Sequence, residues 1–215
     1  MYGFLTKLLL SGKLKFELGE IKFARENVTI ISMDTMKDIT DDALKEGKKG
    51  ILRIYMYGWH EGFNFTKDYM KDLKLKKFEE TYKLIMDVAE MIGYGDYKTL
   101  DFEQKKFSKF KNIGNPFAKL YHPSKDVVCH FVRGMNAGGG TALHEVLMNG
   151  IELECTAQNG NHCLFMNVSN KILREDPNFS KIVKKQLDLE KLKSRQIEII
   201  KKYGDDPKKY LKYPK

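Results

Sequence analysis

Apolar positions along the chain change their period several times, and each change marks an element. Residues 13–18 (KLKFEL) alternate polar and apolar side chains as a half-buried strand does, and residues 20–32 read as a hairpin turned at Glu26-Asn27. Asp34 and Thr35 are suited to cap a helix running through Leu44 to about Glu46, which the glycines of 47–50 then break. Residues 51–73 are apolar and aromatic almost all round, the pattern of a helix buried between layers, and Gly58 with Gly62 marks one face for a close helix crossing. Residues 78–92 repeat Tyr82, Ile85, Met86, Ala89 and Ile92 at three- and four-residue spacing until Gly93 and Gly95 end the helix.

The second half is shorter in period. Residues 97–110 alternate as a strand or hairpin, Pro116 opens a short segment, and residues 126–149 after Pro123 are helical in pattern apart from the break expected at Gly138-Gly139-Gly140. Residues 151–157 and 162–168 are two strands joined by Asn159-Gly160, the strongest hairpin signal in the chain. Residues 179–203 form a charged amphipathic helix on Ile182, Leu189, Leu192, Ile197 and Ile200, and the last dozen residues, with Pro207 and Pro214, read as a frayed end. The expected fold class is α+β, with helices packed on an antiparallel sheet. Three segments follow: 1–95 with the first strands and the long helices, suited to dimerisation and pocket walls; 96–178 as the core; and 179–215 as a basic helix and tail.

Composition narrows the class. At 215 residues, 42% hydrophobic and 12% aromatic, the chain supports one compact domain with appendages and excludes wholesale disorder. No apolar run approaches the about 18–20 residues of a spanning helix, and residues 5–10 are too short and Lys-flanked for a secretory signal, so a soluble cytoplasmic protein is expected. The net charge of +9 suggests a polyanionic partner, but residues 171–215 alone carry 14 Lys/Arg against 7 Asp/Glu. Solvated lysines on an exposed helix account for that surplus, with nucleic-acid binding through the same helix as the alternative.

All three cysteines, Cys129, Cys155 and Cys163, lie within 35 residues. In a symmetric hairpin with Gln158-Asn159-Gly160 as its loop, Cys155 stands opposite Cys163, where Cβ atoms are about 5 Å apart on one face. Cys129 at the start of the preceding helix is a third candidate. Glu152 faces away on a straight strand and joins only if the chain bends, which is expected at Asn149-Gly150. Three thiolates and a carboxylate around one divalent ion make a closed site, which points to structural zinc with no position left for a reactive water. Arg133, one helical turn after Cys129, is the candidate for balancing the excess negative charge, with His130 and His162 as lesser ones. Three buried free cysteines, a Cys155–Cys163 disulfide, or a fourth ligand from His162 or His130 fit the same spacing.

The stretch 129–168, with Phe131-Val132-Arg133-Gly134, the Gly138–Gly140 run, Glu152-x-x-Cys155 and Gly160-x-x-Cys163-x-Phe165, resembles the 4-vinyl-reductase, or hydrocarbon-binding, domain family. The resemblance covers about 40–60 residues. It implies a zinc held by Cys129, Glu152, Cys155 and Cys163, in the order in which the related sensor domains of phenol- and xylene-responsive activators hold theirs. It also implies a fold similar to the haem nitric-oxide-binding and Golgi transport-particle ligand-binding domains, an apolar cavity for a small hydrophobic or aromatic ligand, and frequent homodimers. The chain looks like a stand-alone archaeal-type member, with no ATPase or helix-turn-helix segment. The family name raises the alternative of an accessory protein or reductase acting on a vinyl-bearing, tetrapyrrole-like substrate, although no dinucleotide fingerprint, Cys-x-x-Cys or catalytic triad is present. No membrane partner is expected.

One departure limits the inheritance. The phenol sensors orient the ligand hydroxyl with a His and a Trp upstream of the first Cys, and here Trp59 and His60 are adjacent, about 100° apart on a helix. Pocket candidates are therefore taken from the long helices: Tyr55, Met56, Trp59, Phe63, Tyr82, Met86 and Met91. The run Asn136–Thr141 lacks the Lys-Ser/Thr ending of a phosphate loop and reads as close packing. His144 and Glu145, lacking a matched nucleophile, read as surface or outer-sphere residues, and His122 beside Pro123 as a loop residue.

Overall fold

The computed structural model describes residues 2–23, 26–75 and 77–213, and for positions 2–4 and 7 the backbone only. In chain order the elements are α1 (Tyr2–Leu10), β1 (Leu14–Glu17), β2 (Glu20–Phe23), β3 (Glu26–Val28), α2 (Met33–Lys45), α3 (Lys48–Asp72), α4 (Phe78–Met91), β4 (Asp96–Glu103), β5 (Phe107–Ile113), α5 (Pro116–Lys119) and α6 (His130–His144). They continue with β6 (Met148–Glu154), α7 (Thr156–Asn159), β7 (His162–Ser169), α8 (Asn170–Glu175), α9 (Ser180–Gln186), α10 (Leu189–Tyr203) and α11 (Pro207–Tyr210). The first three strands form a small antiparallel sheet, and the other four form the main one in the order β4-β5-β7-β6, also antiparallel. Helices packed on an antiparallel sheet make this an α+β fold, as the periodicity predicted. Among the described residues no helix is long and apolar enough to cross a membrane.

The backbone of α6 touches that of α3. Gly58 and Gly62 of α3 face Gly134 and Gly138 of α6, and a Cβ on any of the four would stand 2.0 Å from a carbonyl oxygen of the opposite helix. The four-residue spacing of Gly58 and Gly62 thus marks a close crossing. The glycine run 138–140 does not interrupt α6 as expected. Each glycine removes a collision on a different side: Gly138 with Trp59, Gly139 with Thr66, and Gly140 with Asn167 and Met148. Close tertiary packing outweighs a helix-propensity cost of about 1 kcal/mol per glycine.

Other boundaries are corrected by local chemistry. Phe23 pairs with Glu26, so Glu26 and Asn27 belong to β3 and do not form the turn. Ser32 rather than Asp34 or Thr35 caps α2, its hydroxyl accepting from the Thr35 N–H at 3.1 Å. The helix expected over 179–203 is split. Leu187 is extended and buried, and Asp188 begins α10 by accepting from the Lys191 N–H at 3.3 Å. Nor is the described part of the tail frayed, because Tyr210 is fully buried and its carbonyl accepts from the Leu147 N–H; Pro214 lies outside the described residues. Tyr55, Trp59, Ala137, Ile151, Leu173, Leu192, Ile200 and Tyr210 share one apolar cluster. The helices α4, α5 and α7 and the strand β4 place buried side chains in two further clusters, around Phe110 and around Phe23.

Candidate metal centre

Cys129 precedes α6 as its N-cap residue, Glu152 and Cys155 flank the end of β6, and Cys163 is the second residue of β7. β6 carries a bulge. Glu152 pairs with Phe165 and Glu154 with Leu164, leaving Leu153 as the extra residue, which is exposed. A bulge reverses the alternation, so Glu152 and Cys155, three residues apart, both turn inward. The necessary bend therefore lies at Leu153 and not at Asn149-Gly150. The Glu154–Leu164 register is the one that sets Cys155 against Cys163, but the loop between them is the helical turn α7 followed by Gly160 in the left-handed conformation.

All four residues are buried, and their ligand atoms lie within 4.8 Å of one another. The Cys129 Sγ is 3.9 Å from Cys155 Sγ and 3.7 Å from Cys163 Sγ. A tetrahedral site with metal–sulfur bonds of about 2.3 Å requires sulfurs about 3.8 Å apart. All three cysteines are free thiols, and the distances match a shared cation, not a disulfide. The Glu152 Oε2 accepts from the Cys129 N–H at 3.3 Å, whereas its Oε1 is buried with no hydrogen-bond partner. An unpartnered carboxylate oxygen in an apolar interior is costly, and a cation between it and the sulfurs removes the cost. The group is close enough to hold a metal ion, and the donor set fits one.

Electrostatics without a cation are unbalanced. Burial pushes Glu152 and Cys129 well above their usual ranges. Hydrogen bonds from the thiols of Cys129 and Cys155, with a smaller contribution from Thr156, bring Cys163 down to about 5. Thr156 N–H also donates to Cys163 Sγ at 3.3 Å, and Asn115 Nδ2 approaches Cys129 Sγ at 3.8 Å. Arg133 is fully buried beside the cluster and stacks over the Tyr55 ring at 4.9 Å. Its Nη1 donates to the Gly150 carbonyl and to both oxygens of Gln186 at 3.1–3.3 Å. Burial lowers the Arg133 pKa, while the nearby Glu152 and Cys129 favour its charge. His130 contacts Arg133 Nη2 at 3.4 Å and is pushed down to about 3 by burial. His162 points away from the sulfurs, its Nε2 3.0 Å from Glu154 on the more exposed face.

Gln186 was invisible to spacing. Its amide accepts from the Glu152 N–H at 3.0 Å and donates to the Glu152 carbonyl at 2.7 Å, covering the edge of β6 at the ligand residue. The one available signal was Asp188, a good N-cap in the middle of an apparent helix.

The pocket candidates divide. Tyr55, Trp59 and Phe63 are fully buried core residues, with Trp59 Nε1 donating to the Met148 carbonyl at 3.3 Å. Met56 and His60 line an open groove of about 720 Å³ between α3 and α10. Tyr82 and Met86 line a small, partly open pocket of about 40 Å³ between α3, α4, α6 and the sheet, together with Ser108, Asn136 and Asn167. Met91 packs instead in the cluster around Phe23 and Tyr69. His144 is not on the surface. It is fully buried at the far end of α6 from the cysteines and bonds to Ser108 and Lys105.

No protein-family model and no curated protein sequence matches this chain. Solved structures do resemble it. The phenol-responsive sensory domain of the transcription activator PoxR, crystallised with phenol, superposes with a TM-score of 0.71 over 87% of this chain and 98% of that one, at 14% identity. A trafficking protein particle complex subunit 3 from Naegleria fowleri, covalently bound to palmitic acid, gives 0.51 over 64% and 92%, at 10% identity. A vinyl-4-reductase family protein from Methanocaldococcus jannaschii gives 0.46 over 66% and 83%, at 19% identity. The first two comparisons place the chain in a fold that carries small-molecule-binding domains.

Proposed function

We propose that this protein is a small-molecule-binding or sensor domain in which a structural zinc ion, held by Cys129, Glu152, Cys155 and Cys163, staples α6 to the β6–β7 hairpin. The observation that carries the reading is the buried Oε1 of Glu152, unpartnered beside three convergent sulfurs. When bound, the ion supplies charge neutralisation and cross-linking. With four protein ligands it keeps no site for a water nucleophile, so the centre positions structure and catalyses no hydrolysis. Arg133 holds the local backbone through Gly150 and Gln186 and offsets part of the two excess negative charges.

The ligand would bind in the cavity lined by Tyr82 and Met86, whose Met and aliphatic walls can adapt to a guest. The metal-bound Cys129 end and the cavity lie along the same helix, so the staple keeps the cavity's walls in register with the sheet. Native mass spectrometry of the purified chain should show one zinc per subunit, and Cys155→Ser or Cys163→Ser should release it and lower the Tm. Unchanged stability together with an absence of zinc from the wild type would overturn the reading.

A second reading draws on the groove between α3 and α10. Lys48, Lys49 and Arg53 face Lys191, Arg195 and Lys202 there, with Asp188 and Glu198 as the opposing acids. A polyanion such as single-stranded nucleic acid would fit that balance. Binding that falls steeply with salt and is lost in Lys49→Glu/Lys202→Glu would support it; salt-insensitive or absent binding would remove it.

A further inference from the structure

We propose that the pocket lined by Tyr82 and Met86 is wired as a hydrogen-bond donor site, so that it selects a small apolar molecule bearing an acceptor oxygen, such as an aryl ketone, over the matching hydrocarbon. This rests on the ligand-binding reading above and specifies its chemistry.

The wiring begins at His144. Its Nδ1 lies 2.9 Å from the backbone nitrogen of Lys105, a group that can only donate, so Nδ1 presents its lone pair. A neutral imidazole with a bare Nδ1 carries its proton on Nε2, and an imidazolium would set two N–H groups against each other. His144 Nε2 is 2.7 Å from Ser108 Oγ. Ser108 therefore accepts from His144, and its own hydroxyl proton is directed elsewhere. Both ring nitrogens have partners at hydrogen-bond distance, which sets the orientation of the ring. Burial also holds His144 down to about 4, consistent with a neutral ring at pH 7.

Ser108 is fully buried and lines the cavity. Three further polar atoms of lining residues, Tyr82 Oη, Asn136 Nδ2 and Asn167 Oδ1, make no hydrogen bond within 3.5 Å, although Tyr82 stands near Ser108 and Thr99 and Asn136 near Tyr97. Asn167 gives one Nδ2 hydrogen to the Asn136 carbonyl at 2.9 Å. The lining thus brings donor hydrogens from Ser108, Tyr82 and Asn136 together with the Asn167 oxygen, amid apolar walls from Ile85, Met86, Ala89 and Leu143. Its volume of about 40 Å³ is close to the about 30 Å³ share of one water. A guest that puts an oxygen there takes over a water's hydrogen bonds, while its apolar body displaces the Met86 side chain. A hydrocarbon leaves the donors unpaired, the kind of mismatch a polar site rejects strongly.

The same proton direction excludes a nucleophilic serine. A general base must accept from the hydroxyl, whereas His144 donates to it.

Two measurements on the full chain test the proposal. Nitrogen-15 NMR of the histidines at pH 7 should show His144 as the Nε2–H tautomer; an Nδ1–H tautomer or an imidazolium would overturn it. Acetophenone and ethylbenzene, nearly equal in size, are then titrated while the Met86 methyl signal is followed. Acetophenone should bind at least tenfold more tightly, and Tyr82→Phe, which keeps the ring, should shrink that ratio, as should Ser108→Ala. Equal affinities would overturn the donor wiring and leave the ligand-binding reading standing. Binding of neither probe by the folded wild type would defeat that reading, and the proposal with it.

Discussion

At its N-terminal end α6 presents Cys129, His130 and Arg133, and at its C-terminal end, about 22 Å away, it presents Thr141 and His144; all five are buried. At the C-terminal end both ring nitrogens of His144 are satisfied by the chain's own atoms, Lys105 N–H on one side and Ser108 on the other. The N-terminal group is incomplete, with Glu152 Oε1 and Arg133 Nε both unpartnered and three thiols competing for protons. Two buried titratable clusters on one helix thus differ in what they lack. A histidine can be satisfied while neutral, whereas three thiols and a carboxylate at this spacing are a donor set that a cation would complete.

The largest effect should come from breaking the incomplete end. Chelation of the metal, or Cys163→Ser, should cost on the order of 3–5 kcal/mol, because it leaves buried charge without compensation. Urea titration of metal-loaded and metal-stripped protein measures this, and His144→Gln should show no comparable metal dependence. Next comes the rod that joins the two ends. Gly138→Ala puts a methyl 2.0 Å from the Trp59 carbonyl oxygen and should cost about 3 kcal/mol as overpacking, visible as a lower Tm with metal still bound.

The acid response should sharpen the contrast. Burial pushes His144 down to about 4 from its ordinary 6.5, and the ring packs against Phe78, the Lys105 amide and Ser108. The unfolded chain takes up this proton first as pH falls. The stabilisation is therefore complete above about pH 6.5 and is lost between 6.5 and 4, about 3 kcal/mol in all. Denaturation midpoints at pH 7 and pH 4.5 should lie closer together for His144→Gln than for the wild type, which loses most of that stabilisation over the same interval. The smallest effect belongs to Tyr55→Phe. Its hydroxyl donates to Asn149 Oδ1 at 2.8 Å and accepts from the Gly150 N–H at 2.9 Å, so its loss should cost about 1–2 kcal/mol by thermal denaturation without releasing metal.

How much of this was legible follows from the range of each interaction. The α3 and α4 helices and the close crossing at Gly58 and Gly62 were readable because periodicity is local and a glycine pair at four-residue spacing has few other uses. The convergence of Cys129, Cys155 and Cys163 was readable from their clustering and a hairpin. Glu152 entered by the wrong bend, since nothing in Leu153 announces a bulge. For Gly138–Gly140 the sequence left close packing and a helix break both open, because propensity ranks glycine by what it costs an isolated helix, and here each missing Cβ makes room for a different neighbour. The split at Leu187-Asp188, which delivers Gln186 to the β6 edge, and the burial of Tyr210 depend on partners more than 30 residues away.

Taken alone, the amino-acid order determined the element types of the long helices, the antiparallel main sheet and the four residues able to gather around one ion, because hydrophobic period and donor chemistry are properties of short stretches. Tertiary structure decided which way each group faces: the inward turn of Glu152 at a bulge, the burial of His144 against a backbone amide that sets its proton, and the division of the aromatic candidates between core, groove and cavity. Those outcomes depend on which atoms from distant segments share a space too small for water, and no local pattern encodes that.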